Sequence, residues 1–270
     1  MTLSVVYFNE TAEVAARGIR CCADSLIKGD IGKLTPHAMK IFPLRISYPP
    51  DYPFIYKKSR LSHTIGFTFS GNLNAAMNSY ALLSNLCEHV QPIHEHVGTL
   101  PSMQTIANLV AQIIYTYGSN YGSLLDKEGL CDVVLFGFCL ASNDFKTFYI
   151  HPDLSDGKFV VRIEEINLYE RQYFAIGSGS HLLKAKVDEN NGRFHPNFVR
   201  DIINNSINEK VGVGGFFQRG WSNKWGMRLV CDAMQNTPLG FGAPFCGFML
   251  SPFKLGDKHF ISLPMFGDSI

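Results

Sequence analysis

The stretch "TIGFTFSGNLNAAMNSYALLSNLCEHV", residues 64–90, changes character at Gly71, and that change decides the fold. The residues before the glycine read as a strand ending in a turn residue. After it Leu73, Met77, Tyr80, Leu83 and the pair Leu86-Cys87 recur at three- and four-residue steps, with Asn72 in place as an N-cap, which predicts an amphipathic helix. A second helix follows in "PSMQTIANLVAQIIYTYG", residues 101–118. Pro101 and Ser102 stand near its start, Met103, Ile106, Leu109, Val110, Ile113 and Ile114 lie on one face, and Gly118 is expected just past its end.

Moving toward the N-terminus, "KIFPLRI" (40–46) is a short strand, and the Pro- and Tyr-rich "SYPPDYPFIYKKSRLSH" that follows it is an inserted loop at about 46–63. "LSVVYF" (3–8) and "IRCCADS" (19–25) are strands joined by the polar "NETAEVAARG", a hairpin with a long turn. Toward the C-terminus come the strands "CDVVLFGFCLA", "FKTFYIHP", "FVVRIEEIN" and "YFAIGSGS". Two helical segments follow, "HLLKAKVDE" and "PNFVRDIINNSINE", and then apolar runs at "WGMRLVCDAM", "FCGFMLSPF" and "HFISLPMF". Strand runs separated by helix pairs argue against a simple parallel βαβ series. They argue for an α+β protein of stacked sheets with helices outside.

Composition narrows the function. The chain has 270 residues, 46% hydrophobic and 17% charged, enough apolar side chain for one large domain over 1–270 and too little charge for a disordered polymer. The net charge is +1, with Lys and Arg scattered, so no nucleic-acid or anionic-membrane footprint is expected. The N-terminus shows no secretory pattern and no uninterrupted apolar run reaches membrane-spanning length, so a membrane location is not expected. Seven cysteines, most in apolar runs, read as buried thiols of a reducing cytoplasm.

Several chemistries are set aside. His89, His94 and His96 of "HVQPIHEHVG" lie in a Pro- and Gly-punctuated loop without a supporting ligand, so no metal is expected. Cys21 and Cys22 sit near Asp24, whose charge would raise a thiol pKa, the wrong direction for a thiolate nucleophile. "GVGG" and "GSGS" lack the rest of a phosphate-binding motif. What remains is "MTLSVVYF". Removal of Met1, which a small second residue permits, would leave Thr2 with a free α-amine beside its own hydroxyl, a nucleophile and a base on one residue.

Short pieces in collinear order resemble the proteasome β-subunit branch of the N-terminal nucleophile hydrolases, whose catalytic residue is the first of the mature chain. Thr2 opens the first strand, Asp24 lies in "CADS", Lys40 begins "KIFPL", Gly71 ends "TFSG" before a helix, and Ser178 stands in "FAIGSGS". The likeness covers roughly the first 215 residues, and only the order of its fragments gives it weight. It implies a four-layer αββα sandwich with a C-terminal extension at about 221–270. It also implies a catalytic set of Thr2, Asp24, Lys40, Gly71 and Ser178, with no cofactor.

In that set Thr2 attacks, its amine takes the proton, Lys40 favours the developing charge, Asp24 holds the lysine, and the Gly71 N–H stabilises the oxyanion. Gly is expected at 71 because a side chain would crowd the substrate. The resemblance implies a peptide or protein substrate, a homo-oligomer of stacked subunits and an ATP-driven unfoldase as partner. The same nucleophile also suits a small-amide amidohydrolase. The chain departs from the family in "NEKVGVGGFF", where Lys210 and Val213 stand in place of an Asp and a Ser that support the terminal amine, a change also compatible with a non-catalytic scaffold subunit.

Overall fold

The computed structural model describes residues 2–11, 13–29, 32–48, 61–90, 100–125, 129–154, 158–205 and 212–230, with short segments between 235 and 260. The elements are β1 (Ser4–Asn9), β2 (Gly18–Ala23), β3 (Ile27–Gly29), β4 (Gly32–Thr35), β5 (Ile41–Tyr48), β6 (Leu61–Gly71), α1 (Leu73–Glu88) and α2 (Met103–Leu125). Then follow β7 (Cys131–Cys139), β8 (Asp144–Asp153), β9 (Val160–Glu165), β10 (Phe174–Ile176), α3 (Ser180–Glu189), α4 (Asn197–Asn204), β11 (Gln218–Asn223) and β12 (Gly226–Val230).

Two five-stranded sheets dominate, ordered β10-β1-β2-β11-β12 and β5-β6-β7-β8-β9, and every strand pair within them is antiparallel. Beyond Val230 the described segments form a three-stranded and a two-stranded antiparallel sheet; 261–270 lie outside the described residues.

Three hydrophobic clusters organise the core. One unites the apolar face of α1 and α2 with Phe42, Leu44, Ile65, Phe67, Val133 and Leu135 of the second sheet. Another draws Val6, Ile19 and Cys21 from the first sheet together with Ile41, Val134 and Phe136 from the second. The last joins Leu3, Val5 and Cys22 to Leu183, Val187, Val199 and Ile202 of α3 and α4. Side chains on a strand alternate between faces, so Val5 and Val6, or Cys21 and Cys22, belong to different clusters. Both faces of the central strands are thus covered.

The helix expected after Gly71 is present. Asn72 caps it, its Oδ1 accepting the Ala75 N–H at 2.9 Å. The second helix runs on through Gly118 to Leu125 instead of stopping at the glycine. A Cβ at 118 would come within 2.4 Å of the Phe159 ring, so this glycine serves close packing and not helix termination.

The inserted loop is shorter than expected. Ile46, Ser47 and Tyr48 pair with His63, Ser62 and Leu61 as strand, and only 49–60 lie outside the described residues. At the other end, strand β11 crosses residue 221, where the C-terminal extension was expected to begin, and it bonds directly to β2. The hairpin through Val230 is therefore part of the first sheet.

Candidate active site

β1 lies between β10 and β2, with Ser4 opposite Ile176 on one side and Ala23 on the other. Thr2 stands two residues before that register. It is 2% exposed and forms part of the wall of a cavity of about 790 Å3. Its carbonyl is gripped by the turn after β10, where the Gly179 N–H donates to it at 3.0 Å. Gly177 has φ +89°, and a Cβ there would lie 2.2 Å from the Thr2 oxygen. Glycine is required at 177 by both the backbone conformation and the approach of Thr2.

Gly71 and Ser178 line the same cavity as Thr2. Gly71 closes β6 opposite Cys131, with φ +92°, and a Cβ would meet the Leu130 carbonyl at 2.6 Å. The chain's own backbone thus requires glycine there, a reason separate from the expected crowding of substrate. The turn delivers the chain into the capped first turn of α1.

Asp24 and Lys40 lie behind this wall. Asp24 follows β2, Lys40 precedes β5, and the two strand ends bring their side chains into an ion pair of 2.8 Å with both fully buried. The ammonium also donates to the Leu26 carbonyl at 2.7 Å. Asp24 accepts further N–H bonds from Leu3 at 2.9 Å, Leu26 at 3.3 Å and Gly214 at 3.3 Å. Burial pushes the Asp24 carboxyl up and the Lys40 ammonium down, and their attraction opposes both shifts.

Backbone bonds fix the pair's surroundings. Gln218 Oε1 accepts the Lys40 N–H at 3.1 Å, while its Nε2 donates to the carbonyls of Ala38 and Asp24. Thr68 donates to the Lys40 carbonyl at 2.8 Å and lies 2.6 Å from the Ser4 hydroxyl, tying the two sheets together next to the site.

The five residues singled out in the sequence therefore fall into two groups. Thr2, Gly71 and Ser178 share one cavity, whereas Asp24 and Lys40 form a buried pair linked to that cavity through the Leu3 N–H. No hydrogen bond joins the Thr2 hydroxyl to Lys40 among the described residues, and Lys40 is not part of the described cavity wall.

Other residues were not singled out. Ser70 and Asp132 stand opposite each other at the ends of β6 and β7, and both face the cavity with Tyr149 of β8. The Ser70 hydroxyl donates to Asp132 Oδ2 at 3.2 Å, and Tyr149 hydrogen-bonds the same carboxylate. Burial pushes the Asp132 carboxyl up. A sequence signal existed: Asp132 is the one charged residue in "CDVVLFGFC". Gln218 gave no signal, since a polar residue in a polar strand draws no notice.

The cysteine expectation is corrected in its cause. Burial, and not Asp24, is the chief reason that the Cys21 thiol is pushed far up, with Cys22 adding to it. Val213, in the segment where the family places an amine-supporting residue, is fully buried and reaches within 2.6 Å of where a Cβ on Gly179 would lie. Lys210, His94 and His96 lie outside the described residues. Among the described residues no group of three or more His, Cys, Asp or Glu is placed to hold a metal, and no helix is long and apolar enough to cross a membrane.

A solved structure described as an Anbu (Gly-1) mutant from Hyphomicrobium sp. strain MC1 is similar to this chain over 84% of each chain, with a TM-score of 0.52 and 14% identity. Likeness at that identity is one of fold, and Anbu has the fold of proteasome-like N-terminal nucleophile hydrolases. No protein-family model and no curated protein sequence matches the chain.

Proposed function

We propose that the chain is a threonine-type N-terminal nucleophile hydrolase that cleaves peptide bonds through an acyl ester on Thr2, exposed by removal of Met1. The observation that carries this reading is the position of Thr2. It is buried on the wall of the same cavity as Gly71 and Ser178, and the residue after it is bonded to a carboxylate already paired with Lys40. The three core clusters support a four-layer αββα order, with the cavity beside the sheet-to-sheet cluster.

In the acylation step the Thr2 hydroxyl oxygen bonds to the scissile carbonyl carbon while its proton passes to the α-amine, directly or through water. The free α-amine has an ordinary pKa of about 7.7 to 8.0, and nearby positive charge lowers it toward neutral base. The oxyanion receives the Gly71 N–H at the start of α1, where the helix dipole also favours negative charge. The protonated amine then gives its proton to the departing amine as the C–N bond breaks. Water hydrolyses the ester and restores Thr2.

Lys40, fixed by Asp24 and the Leu26 carbonyl, supplies the positive field, and Ser178 orders the turn that grips Thr2. No cofactor takes part. A homo-oligomer of stacked subunits in a reducing cytoplasm, served by an ATP-driven unfoldase, belongs to the same reading, and the five cysteines among the described residues, all buried and free, suit that compartment.

Intact-protein mass spectrometry tests it. The expected result is a chain starting at Thr2 that gains the mass of a β-lactone probe, with labelling abolished in Thr2→Ala. Labelling that persists in Thr2→Ala would assign the chemistry to another nucleophile.

One observation favours a second reading, a non-catalytic scaffold of the same fold. Val213 is apolar and fully buried in the segment where the family supports its terminal amine. Retained Met1 with no labelling would select it.

A further inference from the structure

Asp132 is half-buried in the same cavity as Thr2, takes hydrogen bonds from the hydroxyls of Ser70 at 3.2 Å and of Tyr149, and has His151 near enough to act on its charge. The other carboxylate on the wall, Asp153, is hydrogen-bonded by the guanidinium of Arg162. His151 stacks on the Tyr149 ring at 4.4 Å and lies 3.1 Å from Glu164. No Lys or Arg stands among the described lining residues. Leu130, Leu154, Phe174 and Ile176 supply the apolar remainder of the wall. A half-buried carboxylate among apolar walls suits a long side chain that buries a methylene stem and ends in a cation.

We propose that Asp132 is a specificity-determining residue of this site and selects substrates carrying a Lys or Arg side chain beside the scissile amide. The assignment rests on the hydrolase reading above. The incoming cation replaces water around Asp132 with a charge-assisted hydrogen bond, and Ser70 and Tyr149 hold the carboxylate in place for it. A neutral side chain of equal length covers the half-buried carboxylate without giving it that partner, which is the kind of difference that separates substrates strongly.

The test uses paired peptide epoxyketones that differ only in Lys against norleucine beside the electrophile. The full-length protein should react faster with the lysine probe by about tenfold or more. The ratio should fall toward one in Asp132→Asn and be kept in part by Asp132→Glu, with circular dichroism showing that each variant is folded. Equal rates in the unaltered protein, or a preference that survives in folded Asp132→Asn, overturn the proposal while leaving the threonine mechanism standing. If neither probe labels Thr2, the hydrolase reading fails by itself. Binding of fluorescent Lys and norleucine peptides then decides the Asp132 assignment: tighter binding of the lysine peptide, lost in Asp132→Asn, supports it, and equal binding overturns it.

Discussion

Asp24, fully buried, and Asp132, half-buried on the cavity wall, are both carboxylates close to Thr2, yet their surroundings differ in kind. Asp24 has a fully buried ammonium at 2.8 Å and three backbone N–H donors, and it lies behind the cavity. Asp132 faces the cavity and receives hydroxyls, with burial raising its pKa. The same side chain is thus used once with a buried ammonium against it and once on a cavity wall, with hydroxyl donors and His151 as its neighbours. Environment, not residue type, separates the roles.

The largest expected effect tests that contrast directly. Lys40→Ala or Asp24→Ala should each lose about 3–5 kcal/mol of stability in urea denaturation, because a buried charge is left uncompensated. Asp132→Asn should cost far less, since an amide can still bond Ser70 and Tyr149. Equal losses would erase the distinction.

Next in size, Gly177→Ala should destabilise by about 1–3 kcal/mol from its positive φ alone, with a further cost from the contact with the Thr2 carbonyl. Because that contact fixes Thr2 and hence the Leu3 N–H, the variant should disturb Asp24 and abolish β-lactone labelling. On the other side of the cavity, Asn72→Ala removes the cap directly after Ser70 and Gly71. It should lower stability by about 1 kcal/mol, read as a fall in melting temperature, while labelling persists.

The smallest effect is a pH slope. A carboxyl whose pKa is raised on folding holds its proton more tightly in the folded state. The stability it contributes is present below the ordinary carboxylate pKa and is lost as pH rises through the folded value. Asp132→Asn cannot ionise. Its stability relative to the unaltered protein should therefore rise as pH is raised from about 4, the ordinary carboxylate range, and a flat difference in denaturation midpoints across that range would contradict the burial of this group.

The fold was legible where the sequence carried a period or a cap. Asn72 and the Leu73-to-Cys87 spacing announced α1, and the apolar runs announced β1, β2, β7 and β8. Strand β11 was missed because "QRGWSN" buries Gln218 and Ser222, polar residues whose value lies in contacts far away in sequence. The end of α2 was misplaced because Gly118 answers to Phe159, a neighbour that local propensity does not see. For the site, Thr2, Gly71 and Ser178 were singled out through the resemblance of short collinear motifs, and they line one cavity. The partition of the five residues could not, since it depends on how deep Lys40 lies.

The turn at residues 177–179 holds position 2 by its carbonyl and by the absence of a Cβ on Gly177, contacts made to the backbone and, of the side chain, only to the Cβ that serine and cysteine share. Exchange of that residue for serine or cysteine would leave the anchoring intact. The scaffold thus separates where the attacking group stands from which atom does the attacking, and an oxygen or a sulfur could be presented from the same spot without redesigning the surrounding protein.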